Sequence, residues 1–200
     1  MQISLVGAGY WGAKLKKELE NISNVDAVEI IDIKDGKSIE DIKYDNVVLA
    51  TPAWDHYKQT MLLLEQGKNL YVEKPLAHNI WQLRTLKKAA KYYNIVSQMG
   101  NQGHTTDGIR SIKEWYEQGH LGQVTEVHAW HGKINFGPGK YFTMPDTFPP
   151  TIDPVPDYLD WDLWQGPAKS KPFNSTYAPR SWRGYYDYGN GLLGDCSCHT

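Results

Sequence analysis

The run Gly7-Ala8-Gly9-Tyr10-Trp11-Gly12 limits what this chain can become more than any other feature. It follows the apolar stretch Ile3 to Val6 and opens a segment that repeats Leu15, Leu19 and Ile22 at helical spacing. A G-x-G-x-x-G run between a strand and a helix is the phosphate-binding turn of a βαβ nucleotide fold. Gly7 allows the tight turn, Gly9 lets a pyrophosphate approach the backbone, and Gly12 lets helix and strand pack closely. The helix N-terminus offers unpaired N–H groups to the phosphates, so Ala8, Tyr10 and Trp11 belong to the same candidate site. Asp32 follows Gly12 by twenty residues and closes a second apolar run, Ala27 to Ile31. A carboxylate there accepts hydrogen bonds from the adenosine ribose hydroxyls and repels a 2′-phosphate. The expected cofactor is therefore NAD, with NADP left open by the nearby Lys34 and Lys37.

The first ~120 residues alternate short apolar runs with longer periodic segments, as parallel α/β units do. A helix is expected from about Tyr10 to Asn21 and a single helical turn at Ile39 to Ile42. A strand at Asn46 to Ala50 stops at Thr51-Pro52, and a helix from about Asp55 to Gln66 ends at Gly67, a usual C-terminal stop. A strand at Asn69 to Val72 stops at Pro75. Asn79 then caps a helix with Ile80, Leu83, Leu86 and Ala90 on its face, and Ile95 to Met99 forms a fifth strand. A further helix, about Thr106 to Gln118, carries Ile109, Ile112 and Tyr116. Val124 to Ile134 alternates with the period of a strand that has one wet face, and begins a second domain. The expected fold is α/β. Residues 1–120 form a Rossmann domain with a doubly wound parallel sheet. Residues 121–200 form the start of an α+β substrate domain with a mostly antiparallel sheet.

Six of the eleven prolines lie between Pro138 and Pro156, which nearly excludes regular structure there. A connection of that length inside a compact domain is usually functional or mobile. One clear strand cannot bury a sheet face by itself, so the chain is expected to be a fragment whose natural protein continues.

Composition narrows the partners. Apolar residues make up 40% and charged residues 22%, the balance of a soluble globular chain. A net charge of −2 without a basic run gives nucleic acid nothing to hold. No apolar stretch approaches the ~20 residues of a membrane helix, and the first residues lack the basic flank of a secretory signal, so cytoplasm is the expected compartment. Cys196, Cys198 and His199 crowd three potential ligands into four residues, a poor zinc pattern, and no metal is expected. Eight tryptophans and thirteen tyrosines serve packing or offer a flat face to a sugar ring.

Glu73-Lys74-Pro75 follows the fourth strand. Ligands of open parallel sheets bind beyond the carboxyl ends of the strands, so Lys74 stands at the reactive end of a dinucleotide. A shielded lysine there can exchange a proton with a substrate hydroxyl. Asp195 and His199 are four apart and share a face if the segment is helical. A carboxylate and an imidazole on one face can bind a hydroxyl and take its proton.

These motifs occur in the order seen in the Gfo/Idh/MocA oxidoreductases: the glycine run, Ala50-Thr51-Pro52 with His56, Glu73-Lys74-Pro75, and Gly194-Asp195-x-x-x-His199. Further stretches resemble sugar-dehydrogenase-like members of that family. They are Gly100-Asn101-Gln102-Gly103-His104, Leu121-Gly122-Gln123-Val124, Leu159-Asp160-Trp161-Asp162-Leu163-Trp164 and Trp182-Arg183-Gly184. The resemblance implies that Lys74 is the catalytic lysine, His199 its acid/base partner, and Asp195 a ligand of the substrate hydroxyl. It implies that Thr51, Pro52 and Glu73 line the cofactor. It makes His56, Asn101, Gln102, His104, Trp182 and Arg183 cofactor or substrate contacts. The implied reaction moves a hydride between nicotinamide and a secondary hydroxyl of a sugar or cyclitol, in a protein expected to be a homo-oligomer. Two departures stand out: Ser197 occupies a place where many members have glycine, and members are considerably longer than this chain. Two other functions fit the same motifs. One is a glycosidase-type enzyme that uses NAD for transient oxidation. The other is a dinucleotide-binding sensor or scaffold without turnover.

Overall fold

The computed structural model describes residues 1–130, 142–189 and 191–199. They form two compact units, one of Met1–Gln102 together with His199, the other of Gly103–Cys198.

The first unit is an open, all-parallel sheet. Its strands are β1 (Gln2–Val6), β2 (Ala27–Ile31), β3 (Asn46–Leu49), β4 (Asn69–Glu73) and β5 (Ser97–Gly100), in the spatial order β2-β1-β3-β4-β5. Register is set by near-continuous apolar runs: Leu5 pairs with Ile30 on one side and Val48 on the other, and Leu49 with Val72. One sheet face packs Val6, Val47, Leu49, Leu70 and Val72 against Leu63 and Leu64 of helix α2 (Ala53–Glu65) and Leu86 of helix α3 (Ile80–Tyr92). The other packs Ile3, Leu5 and Val48 against Leu15 and Leu19 of helix α1 (Tyr10–Glu20). Helices on both faces are what a parallel sheet requires. The Asn79 side chain accepts the Gln82 N–H at 2.9 Å, which is the N-cap that the sequence announces. Of the expected face, Ile80 and Leu83 are exposed, at 65% and 39%, and the helix packs inward through Leu86, Ala89 and Ala90. A 3₁₀ turn at Ile39–Asp41 closes the polar link before β3.

The second unit holds helix α4 (Asp107–Glu117), a five-residue helix α5 (Trp161–Gln165), a 3₁₀ turn at Ser181–Gly184, and a short helix α6 (Gly191–Asp195). Its core is aromatic. Trp161 lies among Trp164, Phe173, Tyr177 and Tyr188, with Tyr177 stacked on it at 5.8 Å and 2°. The Trp161 indole N–H donates to the Lys171 carbonyl at 2.7 Å, and the Asp160 side chain caps α5.

The expected strand at Val124 to Ile134 is not found over residues 124–130, which have no regular structure; residues 131–134 lie outside the described residues. A strand needs hydrogen-bonding neighbours on its edges, and the described residues supply no sheet in this unit. Among the described residues no helix is long and apolar enough to cross a membrane.

Candidate functional site

The strand order reverses between β1 and β3, and the loops leaving their carboxyl ends line a cleft of about 510 Å³. Gly7 sits at its base with φ +92°, and a Cβ there would lie 2.8 Å from the Ala50 carbonyl oxygen. A Cβ on Gly12 would lie 1.9 Å from the Gly7 carbonyl oxygen. Both glycines are therefore required by the turn itself. Gly9 differs: it is extended, caps α1 with no side chain, and a Cβ on it would meet nothing within 4 Å. It borders the cleft, so the room beside it is a cradle that a Cβ would fill.

Asp32 leaves β2 at the mouth of this cleft. Its Oδ2 accepts the Ala8 N–H at 2.6 Å and its Oδ1 the Lys34 N–H at 2.9 Å. Donation first from Lys34 and then from Ala8 holds its carboxyl below the usual carboxylate range. Each carboxylate oxygen has a further lone pair, so the anion remains able to accept hydroxyl donors. Lys34 and Lys37 border the same cleft, and Lys37 donates to the Ile30 carbonyl at 3.0 Å. Exposed aromatic rings also stand there: Tyr10, Trp11 and Trp54, at 73%, 62% and 73% exposure. Lys14 reaches over Tyr10 and Trp11, 4.2 and 4.7 Å from the ring centroids. Trp54 and Gln59 are cleft residues that sequence reasoning missed; only the position of Trp54 just after Thr51-Pro52 hinted at it.

On the β3 side, Thr51 and Pro52 line the cleft, and the Thr51 hydroxyl donates to Gln59 at 2.5 Å. His56 does not line it. It is 1% exposed, with Nδ1 2.7 Å from the Pro75 carbonyl oxygen and Nε2 2.8 Å from the Thr51 carbonyl oxygen. On the β4 side, Glu73 is the last strand residue and Lys74 the first beyond it, half-buried, followed by Pro75 through a cis peptide. Because the strands are parallel, Lys74 leaves the same edge of the sheet as the glycine turn.

Gln102 connects Glu73 to His199 within the first unit. Its amide nitrogen is 3.3 Å from both Glu73 carboxylate oxygens, and its Oε1 is 3.0 Å from His199 Nδ1. A carboxylate accepts only, so the amide is oriented with nitrogen toward Glu73 and oxygen toward His199. His199 Nδ1 then carries the proton, and Nε2 is the basic nitrogen of the neutral ring. Asn101 accepts from Gln98 at 2.9 Å, and His104 lies in an exposed 3₁₀ turn.

In the second unit the structure brings three expected site residues together. The Arg183 Nε donates to Asp195 Oδ2 at 3.0 Å, its guanidinium lies over the Trp182 ring at 4.5 Å, and its Nη1 donates to the Arg180 carbonyl at 3.1 Å. The expected shared helical face of Asp195 and His199 is corrected. Helix α6 stops at Asp195, Cys196 is a turn, and His199 ends a separate 3₁₀ turn, Ser197–His199. Two glycines in five residues make α6 a weak helix, and the tighter 3₁₀ turn changes the angular spacing of side chains. Among the described residues no group of three or more His, Cys, Asp or Glu is placed to hold a metal ion.

Comparison with known proteins matches two models of one family. The Gfo/Idh/MocA model described as the oxidoreductase family's NAD-binding Rossmann fold matches residues 34–101, and the one described as its C-terminal alpha/beta domain matches residues 107–200. Inositol 2-dehydrogenase of Rhodococcus jostii is 34% identical over 47% of this chain and 26% of its own length. The 2,7-anhydro-N-acetylneuraminate hydratase of Mediterraneibacter gnavus is 23% identical over 63% of this chain and 38% of its own. The crystal structure of apo scyllo-inositol dehydrogenase from Lactobacillus casei superimposes with a TM-score of 0.53 at 21% identity, over 62% of this chain and 44% of that one. That likeness shows the fold. The chain thus spans between about a quarter and two fifths of the length of these curated relatives.

Proposed function

Because this chain belongs to the Gfo/Idh/MocA oxidoreductase family and carries its NAD-binding Rossmann domain, we propose that the full protein is an NAD-dependent dehydrogenase acting on a secondary hydroxyl of a sugar or cyclitol. One observation carries the proposal: Lys74 leaves the same sheet edge as a glycine turn that Asp32 braces through Ala8. The first unit fits the dinucleotide. The turn from Gly7 to Gly12 would hold the pyrophosphate, Asp32 the adenosine ribose, and Thr51 and Pro52 the nicotinamide side. Bound nicotinamide supplies the acceptor for the substrate's hydride.

The chain's own residues supply orientation and proton transfer. Lys74 binds the reacting hydroxyl and offers a route for its proton. His199 is oriented by Gln102 with Nδ1 as donor, which leaves Nε2 to exchange that proton. Asp195, held by Arg183, accepts a hydrogen bond from a substrate hydroxyl. Arg183 thereby supports substrate binding through Asp195 rather than as an independent contact.

The test is a panel of myo-inositol, scyllo-inositol and aldohexoses given to the full-length protein with NAD, followed by absorbance of the reduced cofactor. Steady formation of NADH with at least one polyol is the expected result. The similarity to anhydroneuraminate hydratases favours one second reading, in which the cofactor is reduced and reoxidised within a turnover. Product formation from an anhydro sugar without net NADH would select it. A panel silent in both respects, with dinucleotide still bound, would select a sensor without turnover.

A further inference from the structure

His56 is the most deeply buried titratable side chain named in the candidate motifs, and the proposed chemistry gives it no role. Its surroundings do. It projects from the first turn of α2, and its two ring nitrogens face two carbonyls, Thr51 O at 2.8 Å and Pro75 O at 2.7 Å. Those carbonyls belong to the loops that leave β3 and β4, adjacent strands paired up to Leu49 and Val72. Beyond that pair the sheet ladder no longer ties these two strands. The ring spans the gap just where the two loops would otherwise part.

Lys74 lies inside this span. On one side Glu73 is registered against Gly100 of β5, and on the other the Pro75 carbonyl is held by His56. We infer that His56 is a positioning residue. Its contact with Pro75 fixes the backbone that aims Lys74, and its contact with Thr51 fixes the nicotinamide side of the cleft. The inference rests on the functional reading above for what the two loops do, but not for the bracket itself. A ligand or catalytic role is disfavoured by the burial, since both nitrogens face backbone carbonyls rather than the cleft. A neutral ring donates to one of these carbonyls at a time, and a ring carrying both protons donates to both.

Two near-isosteric variants separate the ends. The amide nitrogen of asparagine takes the place of Nδ1, and that of glutamine the place of Nε2. His56→Asn keeps the Pro75 contact and loses Thr51. His56→Gln keeps the Thr51 contact and loses Pro75. Amide exchange by mass spectrometry on the cofactor-free chain reads the bracket without any assay of activity. In His56→Gln, exchange across residues 74–78 should quicken by roughly three- to tenfold, the loss of one net hydrogen bond, with residues 51–54 less affected. His56→Asn should show the reverse.

In the full-length protein, His56→Gln should lower kcat by about tenfold or more, since small misplacement of a reacting group is costly. Its KM for NAD should stay within about twofold. His56→Asn should raise the KM for NAD more than it lowers kcat. Equal quickening of both loops in both variants, or in neither, would overturn the inference and leave His56 as core packing. The exchange pattern without turnover by the wild-type protein would keep the bracket and defeat the dehydrogenase reading instead.

Discussion

Lys74→Met in the full-length protein is expected to lower kcat by about 10²–10⁴-fold, the usual worth of a positioned proton carrier. NADH affinity should stay within about twofold of wild type, because the pyrophosphate contacts are untouched. The separation follows from the sheet. Lys74 follows β4, whereas the turn from Gly7 to Gly12 follows β1 on the far side of β3. Methionine keeps the length and apolar stem of lysine, so the half-buried position is filled and folding should be preserved. His199→Ala should also depress kcat. If both groups serve one hydroxyl, the double variant should lose less than the product of the two single losses. Stopped-flow reduction of NAD at saturating polyol separates these effects from product release. Wild-type rates in Lys74→Met under hydride-limited conditions would remove Lys74 from the chemistry.

A pair of alanine substitutions in the glycine turn should give opposite results. Gly12→Ala places a Cβ 1.9 Å from the Gly7 carbonyl oxygen. Backbone cannot yield as a side chain can, so the clash outweighs the ~1 kcal/mol that alanine gains in helix propensity. The net loss should reach about 1–3 kcal/mol or more, as for other overpacked sites. Thermal melting of the chain should fall by several degrees, and NADH binding should be lost with the turn. Gly9→Ala meets no atom within 4 Å and starts from φ −66°, a conformation alanine adopts freely. Its melting temperature should hold or rise slightly. Its affinity for NADH should still fall at least about tenfold, since the new methyl occupies the approach of the pyrophosphate. Unaltered NADH binding by the folded Gly9→Ala chain would show that the phosphates lie elsewhere.

Much of the first unit was legible in the sequence because parallel strands and their helices write themselves locally. The run Val47 to Leu49 lies in the middle strand and is buried throughout, so it stays apolar. Turns at Gly67 and the Asn79 cap carry their own chemistry. Residues 124–130 misled for the same reason in reverse. Their alternation records a face that suits a sheet, but a strand exists only with a neighbour, and sequence periodicity does not supply one. The aromatic core around Trp161 was legible only as composition, since its members come together through irregular chain. At the site, Asp32 and the three glycines followed from spacing. The bracket at His56, the Gln102 link between Glu73 and His199, and the pairing of Arg183 with Asp195 did not. Each includes a contact between residues twelve or more apart, through side-chain geometry that no period encodes.

Cofactor choice at Asp32 tests the account most directly, and the chain itself suffices for it. Fluorescence titration should show NADH binding at least about tenfold more tightly than NADPH, a difference of ~1.4 kcal/mol for one repelled 2′-phosphate. The Lys34 and Ala8 donors depress the Asp32 pKa in the folded chain. Its contribution is therefore present above the ordinary carboxylate value and lost only as pH falls through the lower, folded one. The preference should persist from neutrality to about pH 5. Asp32→Ala should bring the two affinities together, chiefly by improving NADPH relative to NADH. Tighter binding of NADPH by the wild-type chain, or a preference that Asp32→Ala leaves unchanged, would contradict the dinucleotide site described here.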